Sequence, residues 1–148
     1  MPQGFPLGAA GRSFVVNIDG ASRGNPGPAA AGWVIRDAAD GQVVIEEGLF
    51  LGQETNNRAE YFALLFALED AMALAAASVK VFTDSELLVK QFRGEYRVKN
   101  SSLKPLFERA RRLAACFAHF DVAHVPREGN RDADRAANAA IDAQGKKS

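Results

Sequence analysis

The stretch that decides the fold reads Asn17-Ile18-Asp19-Gly20-Ala21-Ser22-Arg23-Gly24-Asn25-Pro26-Gly27-Pro28. It continues an apolar run, from Phe14 to Ile18, whose side chains alternate as they do in a β-strand. We expect this strand to end at Asp19, because aspartate is depleted in sheets and the glycines and prolines that follow are typical of a turn. A carboxylate at that position adds little stability, which makes Asp19 a candidate functional residue.

The rest of the chain predicts an alternation of strands and helices. Residues 30–37 and 42–51 read as strands around a hairpin turn at Asp40-Gly41. Apolar residues then recur every three to four positions from Asn57 to Ala77, which predicts a long helix. The remaining predicted elements are a strand at 79–83, a helix at 85–92, a helix at 102–117 capped by Ser102, a strand at 119–125 and a helix at 132–143.

This order predicts an α/β fold built on a mixed five-stranded sheet. Three antiparallel strands come first, two parallel strands follow, and helices cover both faces. We expect one domain over residues 13–144, with flexible segments at 1–12 and 145–148. Residues 1–12 do not resemble a signal peptide, and no apolar run approaches the roughly 18 residues of a membrane span. A cytoplasmic protein without a membrane partner is therefore expected.

Charge and cysteine content narrow the classes of ligand. The net charge is zero, and the single cysteine excludes an internal disulfide and, with two histidines, argues against a dedicated zinc site. Basic residues are nevertheless concentrated between positions 90 and 112, where only two acids occur. This segment predicts either a phosphate-binding surface or the solvated face of a helix. Its basic residues are Lys90, Arg93, Arg97, Lys99, Lys104, Arg109, Arg111 and Arg112.

Three later carboxylates also stand at the edges of apolar elements. Asp84 follows the strand at 79–83, and parallel neighbouring strands about 4.8 Å apart would place it beside Asp19. Glu60 lies on the apolar stripe of its helix, and Asp134 shares a helix face with Ala137. Structural alternatives exist: an Asx turn at Asp19, a helix N-cap at Asp84, and at Glu60 a capping box closed with Asn57.

Four carboxylates at one sheet edge would need cations to neutralise them, because a buried unpaired carboxylate costs several kcal/mol. Oxygen ligands without sulfur or imidazole favour Mg²⁺ or Mn²⁺ over zinc. Two such ions suit the in-line cleavage of a phosphodiester. The residues by themselves therefore indicate a metal-dependent nuclease.

Four blocks of the chain resemble the ribonuclease H type 1 family. They are Asp-Gly-Ala-Ser-Arg-Gly-Asn-Pro-Gly-Pro at 19–28, Thr-Asn-Asn-Arg-Ala-Glu at 55–60, Phe-Thr-Asp-Ser at 82–85 and Asn-Arg-Asp-Ala-Asp-Arg-Ala-Ala-Asn at 130–138. The resemblance implies a ribonuclease H-like fold and an endonuclease that hydrolyses the RNA strand of RNA–DNA hybrids, leaving 5′-phosphates. It further implies two Mg²⁺ ions, with Mn²⁺ as a substitute. Asp19, Glu60, Asp84 and Asp134 would be the catalytic, metal-binding carboxylates, with Asp19 bridging both ions.

By the same matching, five positions would contact the hybrid: Gly20, Asn25, Asn56, Asn57 and Ser85. An asparagine can both donate to and accept from a ribose 2′-hydroxyl, the group that distinguishes RNA from DNA. No obligatory protein partner is implied, and a monomer is expected.

The chain departs from the family pattern in two places. Many members carry a histidine in the loop before the last acid, whereas residues 125–130 contain none and His124 is predicted at the strand end. Arg127 or Glu128 could take over part of that role. Many bacterial members also insert a basic helical handle, for which residues 93–101 are too short. The basic residues between 90 and 104 could serve in its place.

Several alternatives remain open. The same metal site could cut duplex RNA, single-stranded RNA or DNA with isolated ribonucleotides. The fold could also serve a nucleic-acid binding module without catalysis, although the presence of all four acids argues against this. An integrase or resolvase core fits the Asn56-Asn57 block and Asn25 poorly.

Overall fold

The computed structural model describes residues 11–147 and contains the predicted elements in the predicted order. The strands are β1 (Arg12–Ser22), β2 (Gly27–Asp37), β3 (Val43–Glu54), β4 (Ala76–Thr83) and β5 (His119–His124). The α-helices are α1 (Asn56–Ala73), α2 (Glu86–Phe92), α3 (Lys104–Ala114) and α4 (Arg131–Lys147), and a single 3-10 turn spans Arg127–Asn130. No helix among the described residues has the length and apolarity needed to cross a membrane.

The five strands form one mixed sheet in the order β3-β2-β1-β4-β5. β1 pairs antiparallel with β2, and β2 pairs antiparallel with β3. β4 is parallel to both β1 and β5. The predicted division into three antiparallel and two parallel strands is confirmed, and it places the carboxyl ends of β1, β4 and β5 at the same side of the sheet.

Helices cover both faces, as predicted. Phe14, Val16 and Ile18 of β1 are buried in the main core with Leu64 and Leu68 of α1. The opposite face is small, because α4 lies almost directly on the backbone of β2. A Cβ atom on Gly32 would lie 2.2 Å from the Ala133 carbonyl oxygen, so only glycine permits this approach.

The predicted end of the first strand is wrong. β1 continues beyond Asp19 to Ser22, because Asp19 and Ser22 keep their antiparallel partners Gly32 and Ala29 on β2. The glycines and prolines that were expected to end the strand instead form a short loop, closed by a hydrogen bond from the Arg23 N–H to the Pro28 carbonyl at 2.9 Å.

Other boundaries also differ from the prediction. α1 ends at Ala73 rather than Ala77, since Ala75 has a φ of 58° and β4 already starts at Ala76. Ser102 does not cap α3, which begins at Lys104 after a turn held by Asn100. At the chain ends, Arg12 belongs to β1 and α4 extends to Lys147 rather than ending at 143, while the flexibility predicted for these residues stays a prediction. The rest of the predicted flexible ends, 1–10 and 148, lies outside the described residues.

Candidate active site

Asp19 lies on β1, and Asp84 directly follows the last residue of the neighbouring strand β4. The parallel pairing of β1 with β4 ends at Asn17 and Phe82, and each aspartate follows two residues later. The two carboxylates are therefore close together at one edge of the sheet. The Asx turn proposed for Asp19 is wrong, since Asp19 lies within β1. The N-cap proposed for Asp84 is also wrong, since the Ser85 hydroxyl caps α2.

Glu60 completes a cluster of three acids. Asp19, Glu60 and Asp84 each offer a carboxylate oxygen within 4.8 Å of the other two. The Gly20 N–H donates to Glu60 Oε1 at 2.9 Å, and the Thr83 hydroxyl donates to Oε2 at 3.3 Å. The predicted capping box with Asn57 is therefore wrong: Thr55 caps α1, and the Glu60 carboxylate points towards the sheet.

Gly20 has a structural role in this arrangement. A Cβ atom at position 20 would lie 2.3 Å from the backbone nitrogen of Glu60, so the glycine lets β1 and α1 touch. This contact brings Glu60 against Asp19. The structure thus accounts for Gly20 without a substrate, and its predicted contact with a hybrid stays a prediction.

Asp134 joins the cluster from the other helix layer. It lies on the first turns of α4, half-buried, and its carboxylate contacts that of Asp19. Asn138 Nδ2 donates to Asp134 Oδ1 at 3.1 Å, and Arg23 Nη2 donates to Asn138 Oδ1 at 3.1 Å. All four predicted carboxylates therefore meet at one place, with Asp134 beside Asp19 but outside the set of three that are mutually within 4.8 Å.

Ionisation of all these carboxyl groups without a cation would be strongly unfavourable. Burial raises the pKa of Asp19 far above its ordinary value, and the neighbouring charge of Glu60 and the contact with Asp134 raise it further. Burial also raises the pKa of Glu60, although the hydrogen bond from Gly20 opposes this shift. This environment favours the protonated carboxyl groups, whereas a bound cation would favour the ionised ones.

One cation of the protein reaches the cluster. Arg127 Nε lies 3.9 Å from Asp84 Oδ2, with the Arg127 side chain 83% exposed. Among residues 11–144, whose side chains the structure describes, no other ion pair involves the four acids. Glu128 is exposed and makes no ion pair among these residues, so the structure favours Arg127 over Glu128 as the group nearest the acids. His124 ends β5 in register with Thr83 and is exposed.

The predicted substrate-contacting asparagines lie on the loop after β1 and on the first turn of α1. Asn25, Asn56 and Asn57 are all exposed. Asn25 Oδ1 accepts a hydrogen bond from the Asn56 N–H at 3.0 Å, which links the loop after β1 to the start of α1. Asn25 keeps its amide N–H groups for another partner. Ser85 is half-buried and engaged with the Leu88 N–H, so it is less free to bind a ligand.

Part of the basic segment also adjoins the site. Arg58 Nη1 donates to the Ser102 carbonyl at 2.5 Å, which ties the connector between α2 and α3 to the start of α1. Arg97 and Lys99 on this connector, and Lys104 at the start of α3, are exposed. Arg93 has a structural role instead, because its guanidinium donates to the Val122 carbonyl at 2.8 Å.

Two buried polar residues at the site had no role in the sequence prediction. Thr83 is fully buried and holds Glu60, and Asn130 is 1% exposed and donates to the Ile18 carbonyl at 2.8 Å. Thr83 could have been recognised as a polar residue on the buried face of its strand, two positions after Val81. For Asn130 the signal was its place at the start of the fourth block that resembles the family, residues 130–138.

The mixed sheet and the carboxylates at its parallel strands define the ribonuclease H-like class of α/β proteins. Residues 17–140 match the family model described as "Reverse transcriptase-like". The chain is 45% identical over 125 residues to a ribonuclease HI of Halobacterium salinarum, covering 84% of this chain and 62% of the relative. The chain belongs to the ribonuclease HI family.

Solved structures of ribonuclease H proteins have the same fold as this chain. The N-terminal RNase H domain of a Mycobacterium tuberculosis protein has a TM-score of 0.87 and 41% identity, covering 92% of this chain and 98% of that domain chain. LC11-RNase H1, solved in complex with an RNA/DNA hybrid, has a TM-score of 0.83 and 39% identity, with 88% and 98% covered. The chain spans 35% of the full mycobacterial relative, which is named a bifunctional protein.

Proposed function

We propose that this chain is an endoribonuclease that hydrolyses the RNA strand of RNA–DNA hybrids, depends on Mg²⁺ and leaves 5′-phosphate ends. The observation that carries the proposal is the convergence of Asp19, Glu60 and Asp84 within 4.8 Å, with Asp134 against Asp19. The similarity to a ribonuclease H1 that was solved with a hybrid supports the choice of substrate.

The residues present fit a divalent metal. All donors are carboxylate oxygens, which suits Mg²⁺ or Mn²⁺. Burial raises the pKa values of Asp19 and Glu60, and a bound cation would oppose that shift by favouring the ionised carboxylates. When bound, such ions supply an activated water and stabilise the charge on the leaving oxygen. We propose that Asp19, Glu60, Asp84 and Asp134 would hold two such ions.

The protein's own groups fix the carboxylates before a ligand arrives. Gly20 and Thr83 occupy one lone pair on each oxygen of Glu60 and leave the others for a metal. Asn138 orients Asp134. Such preorganisation reduces the reorganisation that would otherwise accompany the reaction. Arg127, beside Asp84, can hold a phosphate oxygen at the edge of the site.

The exposed asparagines supply the contacts that would select RNA. Asn25, Asn56 and Asn57 lie together at the rim, where β1's loop meets the start of α1. Their amides can donate to and accept from 2′-hydroxyls. Arg97 and Lys99 on the neighbouring connector, and Lys104 at the start of α3, would contact phosphates of the hybrid, in place of a separate basic handle.

The test is cleavage of labelled RNA–DNA hybrid, duplex RNA, single-stranded RNA and duplex DNA side by side, with Mg²⁺, Mn²⁺ or EDTA. We expect cleavage of the RNA in the hybrid alone, and none with EDTA. Asp19→Asn and Asp84→Asn should abolish cleavage while hybrid binding persists. Asp40→Asn, which keeps the oxygen that accepts from the Gln42 N–H, is the matched control and should cleave normally.

Each other outcome has a definite meaning. Cleavage of duplex or single-stranded RNA would show that the substrate differs from the one proposed, while the proposed metal site would stand. Binding without cleavage of any nucleic acid would make the chain a binding module. Full activity in Asp19→Asn would overturn the carboxylate mechanism. We also propose a monomer, which sedimentation of the purified chain would test.

A further inference from the structure

A chain of polar contacts runs beside the carboxylates on the face of the sheet that α4 covers. It begins at Asn17, which lies two residues before Asp19 and points to the same side of β1. Asn17 Nδ2 donates to Asn130 Oδ1 at 3.0 Å and, at 3.4 Å, to the Gly129 carbonyl. None of these atoms takes part in the reaction proposed above.

Asn130 is held from two sides, so its orientation is determined. Its Nδ2 donates to the Ile18 carbonyl at 2.8 Å, and its Oδ1 receives the bond from Asn17. The Ile18 carbonyl lies one residue past the last pair of β1 with β4. Asn130 therefore supplies a hydrogen bond to β1 just beyond the end of its pairing with β4.

The position of Asn130 in the chain connects its hydrogen bonds to two residues of the active site. Asn130 ends the 3-10 turn that starts with Arg127, and α4 begins at the next residue. Arg127 lies three residues before it and contacts Asp84, and Asp134 lies four residues after it and contacts Asp19. Holding the Asn130 side chain in place therefore also positions the Arg127 guanidinium and the Asp134 carboxylate.

Arg36 of β2 also contacts Asn17 and links it to α4. Its Nη1 donates to Asn17 Oδ1 at 3.5 Å, and its Nη2 forms an ion pair with Asp132 on the first turn of α4. The half-buried Arg36 guanidinium therefore links Asn17 to the helix that carries Asp134. Four segments that are distant in sequence meet at Asn17: β1, β2, the 3-10 turn and α4.

We propose that Asn17 is a positioning residue for the reaction proposed above: its amide N–H holds Asn130, and through it places Arg127 and Asp134 against the β1 and β4 carboxylates. The inference rests on the proposed function. Without the Asn17 amide N–H, the buried Oδ1 of Asn130 loses its donor. A buried acceptor without a partner is unfavourable, so the turn shifts towards water or rotates Asn130 away from Ile18. Either movement displaces Arg127 and Asp134.

Two variants separate the hydrogen bond from packing. Asn17→Val suits a strand and removes the amide altogether. Asn17→Asp keeps the shape and the acceptor facing Arg36, but removes the N–H that Asn130 needs. Ser13→Val is the matched control, because Ser13 lies on the same face of β1 but is exposed and distant from the turn.

The measurements are kcat and KM on the hybrid, Mg²⁺ affinity by titration, and hydrogen exchange of the Gly129 N–H, which is bonded to the Pro126 carbonyl at 2.9 Å. In both Asn17 variants we expect kcat to fall about tenfold with little change in KM, the effect of one buried hydrogen bond. We also expect weaker Mg²⁺ binding and about tenfold faster exchange at Gly129. Ser13→Val should leave all of these unchanged.

Two results would overturn the proposal. One is unchanged exchange at Gly129 in folded Asn17→Asp, and the other is a kcat equal to that of the unaltered chain. If Asn17→Val fails to fold, Asn17→Asp still decides the question. If the unaltered chain cleaves no nucleic acid, the proposed function fails, whereas exchange at Gly129 and Mg²⁺ affinity still report whether Asn17 holds the turn.

Discussion

The backbone N–H of Gly20 donates a hydrogen bond to Oε1 of Glu60 at 2.9 Å, across a contact so close that no side chain fits between β1 and α1. This one contact joins the strand that carries Asp19 to the helix that carries Glu60. It orients the Glu60 carboxylate and brings two buried acids together. Several consequences can be measured.

Gly20→Ala should destabilise the protein. The added Cβ would lie 2.3 Å from the Glu60 nitrogen, and backbone cannot move aside as a flexible side chain can. We expect a loss of about 1–3 kcal/mol in the free energy of unfolding, measured by urea denaturation. Gly129→Ala is the matched control, because its Cβ would meet nothing closer than 3.6 Å. Equal stability of the two variants would contradict the close contact.

Asp19→Asn should stabilise the metal-free protein, and more so as pH rises. The folded state raises the pKa of Asp19 from its ordinary value of 3.8. Below that value the group is neutral in both states; above it the unfolded chain ionises first, so the folded state loses relative stability as pH increases. Asparagine removes this loss. In EDTA, the variant should exceed the unaltered chain by about 1–3 kcal/mol at pH 7 and by little at pH 4.

Mg²⁺ should reverse that order. Divalent ions bind the folded carboxylates and stabilise the unaltered chain by mass action, while Asp19→Asn gains little. Urea denaturation with and without Mg²⁺ measures this effect. A stability difference that is independent of both pH and Mg²⁺ would exclude Asp19 from a metal site.

Arg127→Ala should lower kcat by about tenfold, because the guanidinium beside Asp84 can stabilise phosphate charge. The side chain is 83% exposed, so stability should remain within about 0.5 kcal/mol of the original value. Arg112→Ala, at an exposed position without an ion pair among the side chains of residues 11–144, is the control. Unchanged kcat in Arg127→Ala would show that the turn contributes only its backbone.

Charge reversal at Arg97 or Lys104 should weaken binding of the hybrid rather than lower kcat. We expect Arg97→Glu and Lys104→Glu to raise the Kd for hybrid at low salt and to reduce the slope of log Kd against log salt by about one per lost phosphate contact. Fluorescence anisotropy in the presence of EDTA measures binding without cleavage. If Arg112→Glu weakens binding equally, the effect is net charge and the connector is not a specific surface.

Asn25→Asp should impair recognition of RNA while leaving the fold intact. The remaining Oδ1 can still accept from the Asn56 N–H, but the amide donors that face outward are lost and a negative charge is added. We expect KM for the hybrid to rise about tenfold, with unchanged thermal stability. Normal KM would remove Asn25 from the substrate-binding residues.

Much of this fold was predictable because it depends on local patterns. The alternation of Phe14, Val16 and Ile18 and the helical recurrence of Leu64 and Leu68 set the type of each element, and the element order set the mixed sheet. The four acids were found because each interrupts such a pattern. Boundaries were less predictable: Asp19 was expected to end β1, but pairing with Gly32 on β2 carries the strand through it.

The sequence by itself determined which residues could bind a metal and on which elements they lie, because residue type and periodicity are local properties of the chain. Only the tertiary structure decided how those residues are held. Glu60 turns to Gly20 and Thr83 instead of capping its own helix, and Asn130 binds Asn17 and Ile18 more than one hundred positions away. Such bonds form because a buried polar group must take whatever partner the packing of sheet and helices brings to it.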